Sequence, residues 1–228
     1  MLALLLTACW SQEERVEMSE AQVEPAMEEH AQATEAARQA LLRGDLAALR
    51  AAGDSIAKQW PVHGMPPALA ERQEAVRDAA RALASAPDIE EGAQALTRLG
   101  AACGDCHAAR GRVVELPAPP DFGEGQDLPS QMKRHAWAGE RVWLGLTGPS
   151  EQALREAYAA LAEAPMVPTG SAIDAPIPAE AVALELRVHD LAAFLRDAPP
   201  SDRARLAGEL FSTCAACHGL LKGGPAAP

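Results

Sequence analysis

The chain has 228 residues, a formal net charge of -12 and only 4% aromatic residues. That length holds two modest domains of roughly 100 residues each. The acidic balance argues against nucleic acid as a partner and suits a protein partner with a basic face. Alanine and leucine dominate and β-branched residues are sparse, which points to an all-α protein.

The first nine residues are an apolar run ending in Leu6-Thr7-Ala8-Cys9. This end resembles the lipobox of a bacterial lipoprotein, which implies lipidation of Cys9 and export to the periplasm or cell envelope on a membrane anchor. The run is too short to span a bilayer, and it lacks the positive region of an ordinary signal peptide. Residues 1–9 are therefore expected to be a lipoprotein-type signal segment and 10–20 a polar tether, with Trp10 at the membrane surface. No other stretch is apolar enough for a span.

From about Ala21 to Arg43 the pattern is helical. Met27, His30, Ala31, Thr34, Ala37 and Leu41 share one face at i, i+3, i+4 spacing. Gly44-Asp45 ends this helix and starts a second, running to about Gln59. Trp60 to Pro67 is a breaker-rich loop, and a third helix fits Ala68 to Ser85. A fourth begins at Asp88 with Glu91 three residues on, a capping-box arrangement, and ends near Gly111. Residues 112–126 contain three prolines and two glycines and read as an interdomain linker. The pattern then repeats: a helix over about Leu128 to Leu146, a second from Ser150 to Ala164, a Pro/Gly-rich loop, a third from Ala179 to Arg196, and a fourth led in by Pro199-Pro200-Ser201.

The repetition holds residue by residue. At an offset of 105, Met27, His30, Glu35, Leu41, Leu49 and Arg50 match Met132, His135, Glu140, Leu146, Leu154 and Arg155. Near the ends of the two fourth helices the offset becomes 111, and Cys103-Gly104-Asp105-Cys106-His107 matches Cys214-Ala215-Ala216-Cys217-His218. The expected architecture is two tandem four-helix up-down bundles, over residues 21–111 and 127–224, each with its motif near the end of its last helix.

C-x-x-C-H is the attachment signature of c-type haem. On a helix both cysteines and the histidine fall on one face, so the thiols can form thioethers while the imidazole reaches iron. A zinc site or a disulfide at each motif is the competing reading. Zinc knuckles sit in tight turns with their halves closer in sequence, and a disulfide leaves the histidine unexplained. Four of the five cysteines stand in these two motifs. The expectation is two covalently attached haem c groups, held by Cys103, Cys106, Cys214 and Cys217, with His107 and His218 as proximal ligands.

Up-down topology puts the start of each first helix at the motif end. His30 and His135 are the preferred sixth ligands because imidazole is the commonest metal-binding side chain. Met27 and Met132, one turn away on the same face, are the alternative, and an open site is the third. Their bland reading is that methionine fills the core and histidine caps a helix or touches a propionate. His63, Met65 and Met166 are reserve ligands, and His189 reads as a plain helix residue. Trp60, Trp137 and Trp143 are expected in core or haem-pocket packing.

With its motif near the end of the last of four helices, and a basic residue (Arg110, more loosely Lys222) shortly after it, the stretch Leu99 to Arg110 resembles the cytochrome c-prime superfamily. That resemblance implies a four-helix fold in both halves and a first-helix residue facing the distal side of the haem. It also permits gas binding. The histidines at 30 and 135 depart from the family pattern. The expected function is single-electron transfer between redox proteins at the cell envelope, with no enzymatic role; the alternative is a nitric oxide or carbon monoxide binder.

Overall fold

The structure is a computed structural model that describes residues 20–59, 67–112, 114–122, 128–163 and 177–224. The lipobox with Cys9, Trp10, the tether, Trp60, His63, Met65 and Met166 lie outside the described residues. Among the described residues the protein is all-helical, without strands. The helices are α1 (Glu20–Leu42), α2 (Leu46–Gln59), α3 (Ala70–Ala84), α4 (Ile89–Ala109), α5 (Leu128–Thr147), α6 (Glu151–Glu163), α7 (Ala179–Asp197) and α8 (Pro200–Leu221). A 3-10 turn, Pro67–Leu69, leads into α3.

Helix ends fall where local chemistry puts them. Gly44 adopts a φ of 70°, and the Gly44 and Asp45 amides donate to the Leu41 and Ala40 carbonyls (both 2.9 Å), closing α1 in the manner of a glycine C-cap. The Asp45 carboxylate then accepts from the Ala48 amide (2.9 Å) and opens α2. In the second half Gly148 donates to Leu144 O (2.8 Å), and the Ser150 hydroxyl accepts from Ala153 N (3.2 Å). Asp88 caps α4 by accepting from the Glu91 amide at 2.8 Å.

Each helix packs on the next, both along α1 to α4 and along α5 to α8. The two runs also pack against one another. α4 lies along α8, α5 packs on α4, and α1 packs on α8. Gln94 of α4 donates to Arg205 O of α8 at 3.0 Å, and a Cβ on Gly208 would stand 2.8 Å from that glutamine side chain. Buried apolar residues of both runs, from Ala37 and Leu41 through Leu96 and Leu99 to Leu191 and Phe211, form one connected core.

Residues 114–122 are not helical and lie over α5 and its C-terminal turn. The Pro117 carbonyl accepts from Arg141 Nη2, Phe122 meets Trp137 edge-on (centroids 5.5 Å apart), and Arg134 sits over the Phe122 ring. Arg141 is 1% exposed. Its guanidinium lies 5.1 Å from the Trp137 centroid and 3.6 Å from a Glu156 carboxylate oxygen, so a buried charge is met by an opposite charge, a carbonyl and a ring face.

Candidate functional site

Both C-x-x-C-H motifs occupy the last turns of long helices, at 103–107 in α4 and 214–218 in α8. Cys103, Cys106 and Cys217 are buried and Cys214 is partly so, and all four are free thiols. Burial pushes Cys103 and Cys214 up to about 12, and the neighbouring motif cysteine adds to the rise. Cys106 and Cys217 are also raised by burial. The motif cysteines are thus protonated at neutral pH, unlike a redox-active dithiol, whose chemistry needs a thiolate.

His107 Nδ1 lies 2.6 Å from the Thr147 carbonyl oxygen, and His218 Nδ1 lies 3.0 Å from the Leu42 carbonyl oxygen. A carbonyl can only accept, so in each bond Nδ1 carries the proton. A neutral imidazole protonated at Nδ1 has its lone pair on Nε2, the nitrogen that can bind a metal. Metal-ligating histidines are commonly set this way, with the second ring nitrogen donating to a carbonyl. Two free thiols followed by an imidazole with Nε2 available are the groups a c-type haem requires, so on this chemistry the residues fit that cofactor in both halves.

His30 is brought beside the first motif. It is buried, with Nε2 3.8 Å from Cys103 Sγ. Burial lowers its pKa to about 4, with the charge of His107 acting in the same direction and a hydrogen bond with Gln59 acting against it. At neutral pH His30 is therefore an uncharged imidazole with no proton to lose before serving as a ligand. Met27, three residues earlier, is partly buried against the core. In the second half, His135 and Met132 hold the matching places on α5, both half-buried.

Some roles near the motifs were not read from the sequence, where Arg110 stood only as the basic residue that follows the first motif. The charges of Arg72 and Arg110 act on Cys106, counteracting the effect of burial on that thiol. The charge of Glu185 acts on Cys217 and reinforces it. Glu185 is 4% exposed on α7, and His189 Nε2 lies 3.7 Å from its carboxylate while His189 Nδ1 lies 3.2 Å from Ala162 O. His189, read as a plain helix residue, is thus part of a polar pair reaching toward the second motif. A glutamate at a position in register with Ala181, Val188, Ala192 and Leu195 was the available signal. Trp143 is buried over Gly100, and Trp137 lies under the Arg141 guanidinium and meets Phe122 edge-on.

Among the described residues no three or more His, Cys, Asp or Glu side chains gather into a metal-binding group of the structural-zinc kind. No described helix is long and apolar enough to cross a membrane. Compared with known proteins, the chain matches no family model, and no curated protein or solved structure matches it.

Proposed function

We propose that the chain is an exported dihaem c-type cytochrome that carries single electrons between cell-envelope redox partners, and is held at a membrane through a lipid on Cys9. Each half is read as a four-helix bundle of the cytochrome c-prime kind. The observation that carries this reading is the repeated placement of the motif histidine, with Nδ1 donating to a helix-terminal carbonyl and Nε2 left for iron.

Haem, when bound, supplies an iron that takes up one electron and releases one. Cys103 and Cys106, and Cys214 and Cys217, would hold the two groups as thioethers, and His107 and His218 would be the proximal ligands. His30 and His135, with Met27 and Met132 as the thioether alternatives, are the residues proposed for the opposite side. The neutrality of His30, imposed by burial, supports its candidacy. The acidic chain suits a donor or acceptor with a basic docking face.

The test is an alkaline pyridine assay for covalent haem, followed by absorption spectra of oxidised and reduced protein with and without carbon monoxide. The expected result is two haems per chain, with sharp low-spin bands indifferent to the gas. High-spin bands that shift with carbon monoxide would replace electron transfer by gas binding. Absence of covalent haem after expression with a haem-attachment system would remove the reading altogether.

A further inference from the structure

We infer that each motif histidine is held in place by the other half of the chain: Thr147 of α5 positions His107 of α4, and Leu42 of α1 positions His218 of α8. Each proximal ligand therefore depends on a helix end contributed by the opposite half. The inference rests on the proposal that these histidines ligate haem, but the contact it invokes is present in the protein chain itself.

The two contacts are one contact made twice. Leu42 and Thr147 are equivalent under the offset of 105, and His107 and His218 under the offset of 111. Both carbonyls belong to the last residue of a helix, where backbone oxygens lack an intrahelical partner. The C-terminal end of a helix is also its negative end, so the imidazole N–H meets a carbonyl that is both unspent and polarised. Such an acceptor makes the imidazole more electron-rich at Nε2, which favours the ferric state of a bound iron.

Packing around the first contact is tight enough to offer a lever. A Cβ at Gly104 would stand 2.1 Å from the Leu146 carbonyl oxygen, so alanine there must push the end of α5 away from α4. The obstacle is backbone, which cannot swing aside as a side chain can. The second motif has alanine at the equivalent place, Ala215, so the attachment sequence itself accepts that residue.

The experiment is Gly104→Ala in the full, haem-loaded chain, with Gly219→Ala, where nothing lies within 4 Å of the new carbon, as control. Displacing Thr147 O from His107 should alter the paramagnetic NMR signature of one proximal imidazole only. It should also shift that haem about 10-fold toward the ferrous form at fixed ambient potential, which is about 59 mV for one electron. The other haem, unchanged, reports that the chain is folded. Two unchanged haems, or two haems changed alike, would overturn the inference. A second measurement needs no variant. In the haem-free chain, long-range nitrogen–proton NMR should find both His107 and His218 protonated at Nδ1 with slowed solvent exchange. Protonation at Nε2, or free exchange, would overturn the contact. Failure to attach haem instead counts against the proposed function, so the two can fail separately.

Discussion

The two motif regions share a scaffold and differ in what surrounds it. At the first, Arg72 and Arg110 bring positive charge toward Cys106, and His30 is buried beside Cys103. At the second, buried Glu185 brings negative charge toward Cys217. The packing differs as well. On α5, Trp143 fills the space over Gly100 of α4, whereas Gly139 of the same helix lies beside Phe211 of α8, whose ring is 3.7 Å from where a Cβ would be, an ordinary contact. Gly100 and Phe211 are equivalent positions under the offset of 111. One helix thus presents bulk to a small residue and a small residue to bulk. The comparison teaches that the two halves share helix order and the C-x-x-C-H residues while volume and charge around them differ.

The largest effect that would break this comparison is in the packing. Phe211→Ala should destabilise the chain by about 3–5 kcal/mol, because a 1% exposed ring leaves a cavity that Gly139 cannot fill. Chemical denaturation of the full chain reads this directly; a loss under 1 kcal/mol would mean that α5 and α8 collapse onto each other freely.

Next is the pH response of the first site in the haem-free chain. His30 is lowered from 6.5 to about 4 in the folded state. Its stabilising contribution is present above the unfolded pKa and is lost as pH falls, because the unfolded chain takes up a proton that the folded chain refuses. Stability should drop between pH 6.5 and 4 by on the order of 3 kcal/mol, and His30→Leu should flatten that slope relative to the parent. An unaltered slope in the variant would assign the pH response elsewhere.

The smallest and most specific effect concerns the proposed haems. A nearby negative charge stabilises ferric iron and a positive one destabilises it. Glu185→Gln should therefore raise the midpoint of the second haem, and Arg72→Gln should lower that of the first. The buried glutamate should give the larger shift, on the order of 1 kcal/mol in redox free energy, because exposed Arg72 is screened by solvent. Spectroelectrochemical titration of both variants checks the signs. Movement of both midpoints together would show that these charges do not distinguish the sites.

The helices were largely legible in the sequence. Spacing and breakers predicted the eight α-helices of the described residues, and the observed ends of α1, α2, α4 and α5 lie within about two residues of those read from Gly44-Asp45, Asp88 and Gly148-Pro149. These signals are local, since capping groups act within one turn. The partners of His107 and His218 were not legible. The pattern suggested two units joined by a linker and carried no signal of how they meet; α4 and α8 are packed together and the acceptors are backbone carbonyls, to which no residue type points. Placement of Glu185 was missed for a related reason. Periodicity assigns a residue to a face of α7, but which neighbour covers that face depends on how the helices are arranged.

The reciprocal histidine contacts have the form of an isologous interface, in which a residue i meets j and the equivalent of j meets the equivalent of i. Such an interface belongs to a two-fold dimer. Here both copies lie on one chain, with residues 114–122 between them lying over α5. In a symmetric dimer every substitution appears twice and must be tolerated in both places. On a fused chain each copy is free to change alone. Phenylalanine at 211 where glycine stands at 100, and alanine at 215 where glycine stands at 104, are substitutions of that one-sided kind.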